Sequence, residues 1–281
     1  MAADLDPARK KALRRELESL LGKGAVLSEP EELLVYESDG LVLFRALADF
    51  VVFPTSTEQV SSVVKLANRE GLPFVARGAG TGLSGGCLPA EGGLVISLMR
   101  MNRVLEVDYD NQIAVVEPGL VNLHLSWAVG PKGFYYAPDP SSQQACTVGG
   151  NIANNSGGPH TLKYGVTTNH VLGMEVVLAD GDTIRIDMKD AAGDKEVQAQ
   201  ETVLKMFGMV PPDFNRMGRN LRSGSKTNLS FAKNFAITTP TTAIGPSAFF
   251  TRLQAVSVFG ASYSVCSVWR FTLCGSRNGR G

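Results

Sequence analysis

The stretch at residues 77–86 reads RGAGTGLSGG and contains five glycines in ten positions. It directly follows an apolar run, LPFVA at residues 72–76, which predicts a buried strand. Glycine loses more conformational freedom on folding than any other residue, so a loop this rich in glycine is costly to order. The composition therefore indicates a loop whose backbone must closely approach another group, without side chains between them.

The glycine pattern at residues 80–85 matches GxGxxG, which is typical of dinucleotide-binding turns. That interpretation requires a strand before the loop and a helix directly after it. The strand is predicted, but the sequence LPAEGG at residues 88–93 would break a helix that began there. The sequence thus argues against a Rossmann turn. It leaves a glycine-rich surface turn or an anion-binding nest of backbone N–H groups.

A second glycine-rich segment, TVGGNIANNSGGPHTLKYG, occupies residues 147–165 and follows the sequence PDPSS at residues 138–142. Its small hydroxyl and amide side chains suit hydrogen bonds to a ribityl chain, a ribose or phosphate oxygens. Two separated glycine segments favour a long ligand with a pyrophosphate in its middle over an isolated surface turn.

The elements around these segments mix helices and strands. An amphipathic helix is predicted over residues 7–21, a helix from the capping box at 55–58 to Gly71, and another near 121–129. Strands are predicted at 74–76 and 94–98, with hairpins at 104–108/113–116 and 171–179/182–186. The absence of a regular βαβ repeat favours an α+β fold over a doubly wound sheet.

Charge and composition narrow the class of protein. The 27 basic and 27 acidic residues give a formal net charge of zero, which argues against nucleic acid as a partner. The most apolar stretch, at residues 41–53, is interrupted by Arg45 and Asp49, so no transmembrane segment is predicted. The N-terminus lacks a secretory signal, and the four cysteines form no CxxC pair. We expect a cytoplasmic protein with reduced thiols and no metal site.

The motifs RGAGTGLSGG, VEPG, APDPSSQ and TVGGNIANNSGGPHTLKYG, in this order, resemble the FAD-binding domain of the vanillyl-alcohol oxidase / p-cresol methylhydroxylase flavoproteins. Within that family they are most similar to the branch of glycolate oxidase flavoprotein subunits, D-lactate dehydrogenases and D-2-hydroxyglutarate dehydrogenases. The resemblance covers about residues 30–187. It implies a fold of two subdomains of the p-cresol methylhydroxylase type.

The resemblance also implies which residues hold the cofactor, with the amides of residues 78–84 around the FAD pyrophosphate. Relatives that bind FAD covalently carry a histidine where this chain has Thr81, so non-covalent FAD is expected. Arg77 could pair with phosphate or with an acidic group across the loop, and His160 is interpreted as structural or cofactor-adjacent. The expected cofactor-binding residues are Arg77, Gly78, Ala79, Gly80, Thr81, Gly82, Leu83, Ser84, Pro140, Ser141, Thr147, Gly149, Gly150, Asn154, Asn155, Ser156 and Gly157.

The resemblance ends near residue 187. A third flavin-binding element of the family, similar to GSEGTLGIVT, is not found, and no histidine follows His170. We therefore expect an N-terminal helical segment at 1–47, a FAD-binding domain at 48–187 and a divergent tail at 188–281, with the cap domain absent. The catalytic residues are not identified.

Two functions remain open at this point. The resemblance implies a FAD-dependent oxidoreductase acting on a small 2-hydroxy acid such as glycolate or D-lactate, with an electron acceptor or a partner subunit. The alternative is a truncated, catalytically inactive FAD-binding module or partner subunit.

Overall fold

The computed structural model describes residues 5–89, 92–187, 265–272 and 274–275. All of these residues fall within one compact unit, formed by Met1–Asp190 and Ser262–Gly281. The helices are α1 (Pro7–Leu21), α2 (Pro30–Leu33), α3 (Thr57–Glu70), α4 (Asn122–Val129), α5 (Val148–Ala153) and α6 (Thr161–Tyr164). The strands are β1 (Val26–Leu27), β2 (Phe50–Val52), β3 (Phe74–Arg77), β4 (Leu94–Ser97), β5 (Val104–Asp108), β6 (Ile113–Val116), β7 (Phe134–Tyr135), β8 (Val171–Val177), β9 (Thr183–Asp187), β10 (Val265–Thr272) and β11 (Cys274–Gly275).

The first sheet has the order β1-β2-β4-β3, in which β2, β4 and β3 run parallel and β1 is antiparallel. Helix α3 connects β2 to β3, which run in the same direction on either side of β4, so the chain must cross over the sheet between them. Its apolar face packs on the sheet in one cluster with Phe50, Leu94 and Ile96, which are almost fully buried. The register sets Arg77 opposite Ser97 at the carboxyl ends of β3 and β4. The glycine loop at 77–86 therefore leaves the sheet at this edge.

Helix α3 ends at Gly71 as predicted, and its N-cap is Ser56, one residue later than the capping box predicted at 55–58 places it. The Ser56 hydroxyl accepts a hydrogen bond from the Gln59 amide, and Gln59 Oε1 accepts one from the Thr55 amide. Gly71 closes the helix in the left-handed region with φ of 65°. The start and the end of this helix can be predicted from the sequence because the groups that form these hydrogen bonds lie within a few residues of one another.

The second sheet is antiparallel and has the order β5-β6-β10-β8-β9. Strand β10 lies between β6 and β8, with Trp269 opposite Val116 on one side and Met174 on the other. This strand lies in the expected divergent tail at 188–281, where the sequence predicts no strand. Residues 188–264, most of the expected tail, lie outside the described residues.

The remaining predictions of elements are confirmed, including α1, both hairpins and the helix near 121–129. An α+β fold is also confirmed, since one sheet is mainly parallel and the other antiparallel. In the described part of the chain, no helix has the length and apolar character that a membrane crossing needs.

Candidate cofactor site

The glycine loop presents a row of unused backbone donors. Within the described chain, none of the N–H groups of residues 78–84 donates a hydrogen bond to another protein group. These residues are partly exposed, apart from Leu83, whose side chain is exposed. Consecutive N–H groups without partners and without bulky side chains form a cradle suited to phosphate oxygens.

Arg77 supports this loop from the buried side. Its guanidinium is buried and donates to the carbonyls of Ser38 (2.9 Å) and Tyr36 (3.3 Å) and to Sγ of Cys87 (3.4 Å). A Cβ at Gly80 would come within 3.0 Å of that guanidinium, and Gly80 has φ of +72°. Both facts explain why this position is glycine. Direct pairing of Arg77 with phosphate stays a prediction, since its described donors face the protein.

The far end of the loop is held by residues 39–41, which are not among the expected cofactor-binding residues. Asp39 Oδ2 accepts the Gly85 N–H at 2.6 Å, and Asp39 Oδ1 accepts the Leu41 N–H at 2.9 Å. The Gly40 N–H donates to the Gly82 carbonyl at 2.9 Å. The Asp-Gly pair marks a turn in the sequence, but nothing local indicates that its partner is the glycine loop.

The two glycine segments meet at Gly78 and Thr147. A Cβ at Gly78 would approach Thr147 Oγ1 more closely than real Cβ atoms approach any atom. Thr147 is buried and caps helix α5, since its hydroxyl accepts the Gly150 N–H at 3.2 Å. The predicted convergence of the two segments is therefore visible at this contact.

The turn VEPG at residues 116–119 braces the start of the second segment. The Gly149 N–H donates to the Pro118 carbonyl and the Val148 N–H to the Leu120 carbonyl, both at 2.8 Å. A Cβ at Gly149 would lie 2.9 Å from Pro118 Cβ, so this glycine permits close backbone packing. Backbone contacts position the start of the second segment, and at Gly149 they leave no room for a larger residue.

Residues 154–156 form hydrogen bonds with helix α5 and with residues 167–168, which follow the segment. Asn154 Nδ2 donates to a carbonyl of helix α5 at 3.0 Å, and Asn155 Oδ1 accepts the Thr168 N–H at 3.1 Å. The Ser156 carbonyl accepts the Thr167 hydroxyl at 2.6 Å. These bonds fix the segment's shape, and cofactor contacts by these residues remain a prediction.

Asp139 and His160 join the sequence at 138–140 to the turn that follows the second glycine pair. His160 Nδ1 lies 2.5 Å from Asp139 Oδ2, and the His160 N–H lies 3.3 Å from Asp139 Oδ1. Pro140 accepts the Gln143 N–H through its carbonyl, and Ser141 is exposed. The Asp139 carboxylate thus uses both oxygens on one residue, which supports the structural interpretation of His160.

A buried histidine behind the second segment makes stability depend on pH. Burial lowers the pKa of His170 below its usual 6.5, although the bond from its ring to the Tyr164 carbonyl at 3.0 Å opposes that shift. The unfolded chain therefore binds a proton at this imidazole more readily than the folded chain does. This contribution to stability is complete above pH 6.5 and declines as the pH falls below it.

We expect the thermal midpoint of the wild type to fall more between neutral pH and about pH 5 than that of His170→Gln. The glutamine keeps a donor near the Tyr164 carbonyl but does not titrate. Parallel thermal melts across this range measure the difference. Equal declines in both proteins would show that His170 does not contribute.

The glycine loop leaves the first sheet at the carboxyl ends of its parallel strands, carries unused amides and meets the second glycine segment. These features together define this part of the chain as a cofactor-binding domain for a ligand with phosphate groups. A family model described as "FAD binding domain" matches residues 48–187, so this part of the chain is a FAD-binding domain of that family.

Known proteins agree with this assignment. The glycolate oxidase subunit GlcD of Bacillus subtilis (strain 168) is 46% identical over 163 residues, which cover 57% of this chain and 35% of that protein. The D-lactate dehydrogenase of Archaeoglobus fulgidus is 45% identical over 154 residues, covering 54% of this chain and 34% of that protein. The chain thus spans about a third of the length of these curated relatives.

The fold also matches that of a solved structure. The structure of p-cresol methylhydroxylase with substrate bound matches with a TM-score of 0.61 over 97% of this chain and 44% of that chain, at 21% identity. This confirms the predicted p-cresol methylhydroxylase type of fold. Among the described residues, no group of three or more His, Cys, Asp or Glu side chains is arranged to hold a metal ion.

The described residues fit FAD on chemical grounds. The unused amides at 78–84 would meet pyrophosphate oxygens, and glycine leaves the backbone accessible. The negative charge of the Asp39 carboxylate is already hydrogen-bonded to two backbone N–H groups at the end of the loop.

Proposed function

We propose that the chain binds FAD non-covalently and belongs to an oxidoreductase that acts on the CH–OH group of a small 2-hydroxy acid. The observation that carries this proposal is the row of unused amides at 78–84 beside Thr147, where the second glycine segment joins. The proposed cofactor-binding residues are Arg77, Gly78, Ala79, Gly80, Thr81, Gly82, Leu83, Ser84, Pro140, Ser141, Thr147, Gly149, Gly150, Asn154, Asn155, Ser156 and Gly157.

When held by these residues, FAD would supply the redox chemistry for oxidation of the CH–OH group by hydride transfer. The chain's own task is to bind and orient that group. Residues 78–84 contain no histidine, cysteine or tyrosine, and Thr81 is a poor nucleophile, which supports non-covalent binding.

The substrate class follows from the relatives' names, which include glycolate oxidase, D-lactate dehydrogenase and D-2-hydroxyglutarate dehydrogenase. A substrate carboxylate needs a positive partner, and the sequence supplies no motif for one. The second candidate is therefore an inactive FAD-binding module or partner subunit. It is supported by the name of one relative, which is a subunit of glycolate oxidase.

The test is a visible spectrum of the purified chain after FAD is added and the excess is removed. Retained flavin supports the proposed cofactor. Anaerobic addition of glycolate, D-lactate or D-2-hydroxyglutarate then separates the two candidates. Bleaching of the flavin supports the oxidoreductase, whereas retained flavin that no hydroxy acid bleaches supports the binding module.

A single substitution tests the approach of ligand to the loop. A Cβ at Gly82 meets no protein atom within 4 Å, and its φ lies outside the left-handed region. We expect Gly82→Val to fold like the wild type but to bind FAD about 10-fold or more weakly, because the side chain enters the space in front of the amides.

Gly86→Val is the matched control, since Gly86 also has open space around its Cβ but follows the unused amides. Fluorescence titration of FAD and thermal melts without FAD measure the two properties. FAD affinity that is equal in both variants would contradict the assignment of the loop.

We also propose an electron acceptor or partner subunit, since one relative is named as a subunit of glycolate oxidase. A cytoplasmic location is proposed because Cys87 and Cys146 are free thiols. Co-purification with a tagged chain and fractionation of cells would test these two proposals.

A further inference from the structure

We propose that Asp39 is a positioning residue for the cofactor loop. Together with Gly40 and Arg77 it forms a clamp that holds residues 78–85 in the binding conformation. This inference rests on the proposed FAD function and deepens it. Asp39 and Gly40 lie outside residues 48–187, which the FAD-domain family matches. The cofactor site of this chain therefore begins before that domain.

The Asp39 carboxylate is committed to backbone amides. Asp39 is 5% exposed, and the two oxygens of its carboxylate accept the Gly85 and Leu41 N–H groups. Among the described residues it forms no ion pair with a cation. A buried carboxylate that accepts amides in this way makes strong, charge-assisted hydrogen bonds. Loss of the charge at Asp39 therefore weakens the attachment of Gly85.

The second contact of the clamp sets the direction of a peptide group. The Gly82 carbonyl accepts the Gly40 N–H at 2.9 Å. In a trans peptide the carbonyl and the following N–H point in opposite directions. With the Gly82 carbonyl turned towards Gly40, the Leu83 N–H points away from the clamp and is available to a ligand.

Arg77 completes the clamp at the beginning of the loop. Its guanidinium binds the carbonyls of Tyr36 and Ser38 and stacks over the Tyr36 ring at 5.4 Å from the centroid. Residues 36–40 thus contact the loop at its start, its middle and its end. A loop with five glycines has many alternative conformations, so a fixed support raises affinity by ordering the loop before the ligand arrives.

The experiment compares Asp39→Asn with Asp49→Asn. Asp49 is a matched control because its Oδ2 also accepts a backbone amide, that of Gly93, at 2.7 Å, but away from the cofactor loop. We expect Asp39→Asn to weaken FAD binding about 10-fold in a fluorescence titration, and Asp49→Asn to leave it nearly unchanged. Asp39→Asn keeps one accepting oxygen for its two amide partners and Asp49→Asn keeps one for its single partner, so thermal melts of both apo-proteins check that each variant is folded.

Asp39→Glu supplies a rescue test, because it restores the charge and should recover part of the affinity. Hydrogen exchange of the Gly40 amide in the apo-protein gives a second readout. That amide is bonded to Gly82, so it should exchange faster in Asp39→Asn if the loop detaches.

FAD affinity that is equal in Asp39→Asn and the wild type, or lowered equally in Asp49→Asn, would overturn the positioning role. If the wild type itself retains no FAD, the proposed function fails. Exchange of Gly40 then still decides whether Asp39 holds the loop: unchanged exchange overturns the clamp, and faster exchange supports it.

Discussion

Gly80→Val is expected to lower the affinity for FAD at least about 100-fold. A β-branched residue at φ of +72° costs about 1–3 kcal/mol in backbone strain, and each 1.4 kcal/mol is a factor of about ten in affinity. In addition, the new Cβ would collide with the buried guanidinium of Arg77. The free loop can relieve both effects by moving. The bound loop must restore the binding conformation, so the strain appears as lost affinity.

The measurement is a fluorescence titration of FAD against the apo-protein, with a thermal melt to show that the variant is folded. Gly80→Ala is the graded comparison, since it has the same φ and Cβ collision without the branched side chain. Its loss should fall between wild type and valine. Wild-type affinity in the valine variant would mean that residues 78–84 do not cradle the cofactor.

Elements with signals inside a few residues could be predicted from the sequence. Helix α3 has its cap at Ser56 and its stop at Gly71, and the hairpin of β8 and β9 turns at Asp180-Gly181. The sequence also predicts that the two glycine segments lie close together, and they meet at Gly78 and Thr147. In each case, the amino acid itself limits the backbone, so the pattern is readable without a partner.

Contacts between distant segments could not be predicted in this way. The carboxylate of Asp39 accepts the Gly85 amide across 46 positions of sequence, and neither residue differs from an ordinary turn residue. The role of Arg77 was left open for the same reason, because an arginine beside a phosphate loop suggests an anion before it suggests carbonyls. Only the folded chain shows that its guanidinium donates to Tyr36 and Ser38.

Strand β10 is the longest-range case. It pairs on both sides in the second sheet, although it follows β9 in the sequence only after residues 188–264. The proposal of a divergent tail at 188–281 and the position of this strand lead to different expectations. A tail without a role in the fold should tolerate any substitution, whereas a central strand should not.

Trp269→Pro is expected to lower the free energy of unfolding by about 2–4 kcal/mol more than Trp269→Thr does. Proline removes a ladder N–H, leaves a carbonyl of a neighbouring strand without its donor and does not fit a central strand. Trp269 pairs with Val116 and with Met174, so the damage would reach both β6 and β8.

Trp269→Thr shares the loss of the indole but keeps the N–H and suits a strand, so the difference between the variants isolates the backbone. Urea unfolding of both proteins measures it. A clear excess for proline would make residues 265–272 part of the FAD-binding fold, and the divergent tail would then be confined to the residues before them. Equal stabilities would mean that the sheet closes without this strand, and the tail would have no part in the cofactor-binding domain.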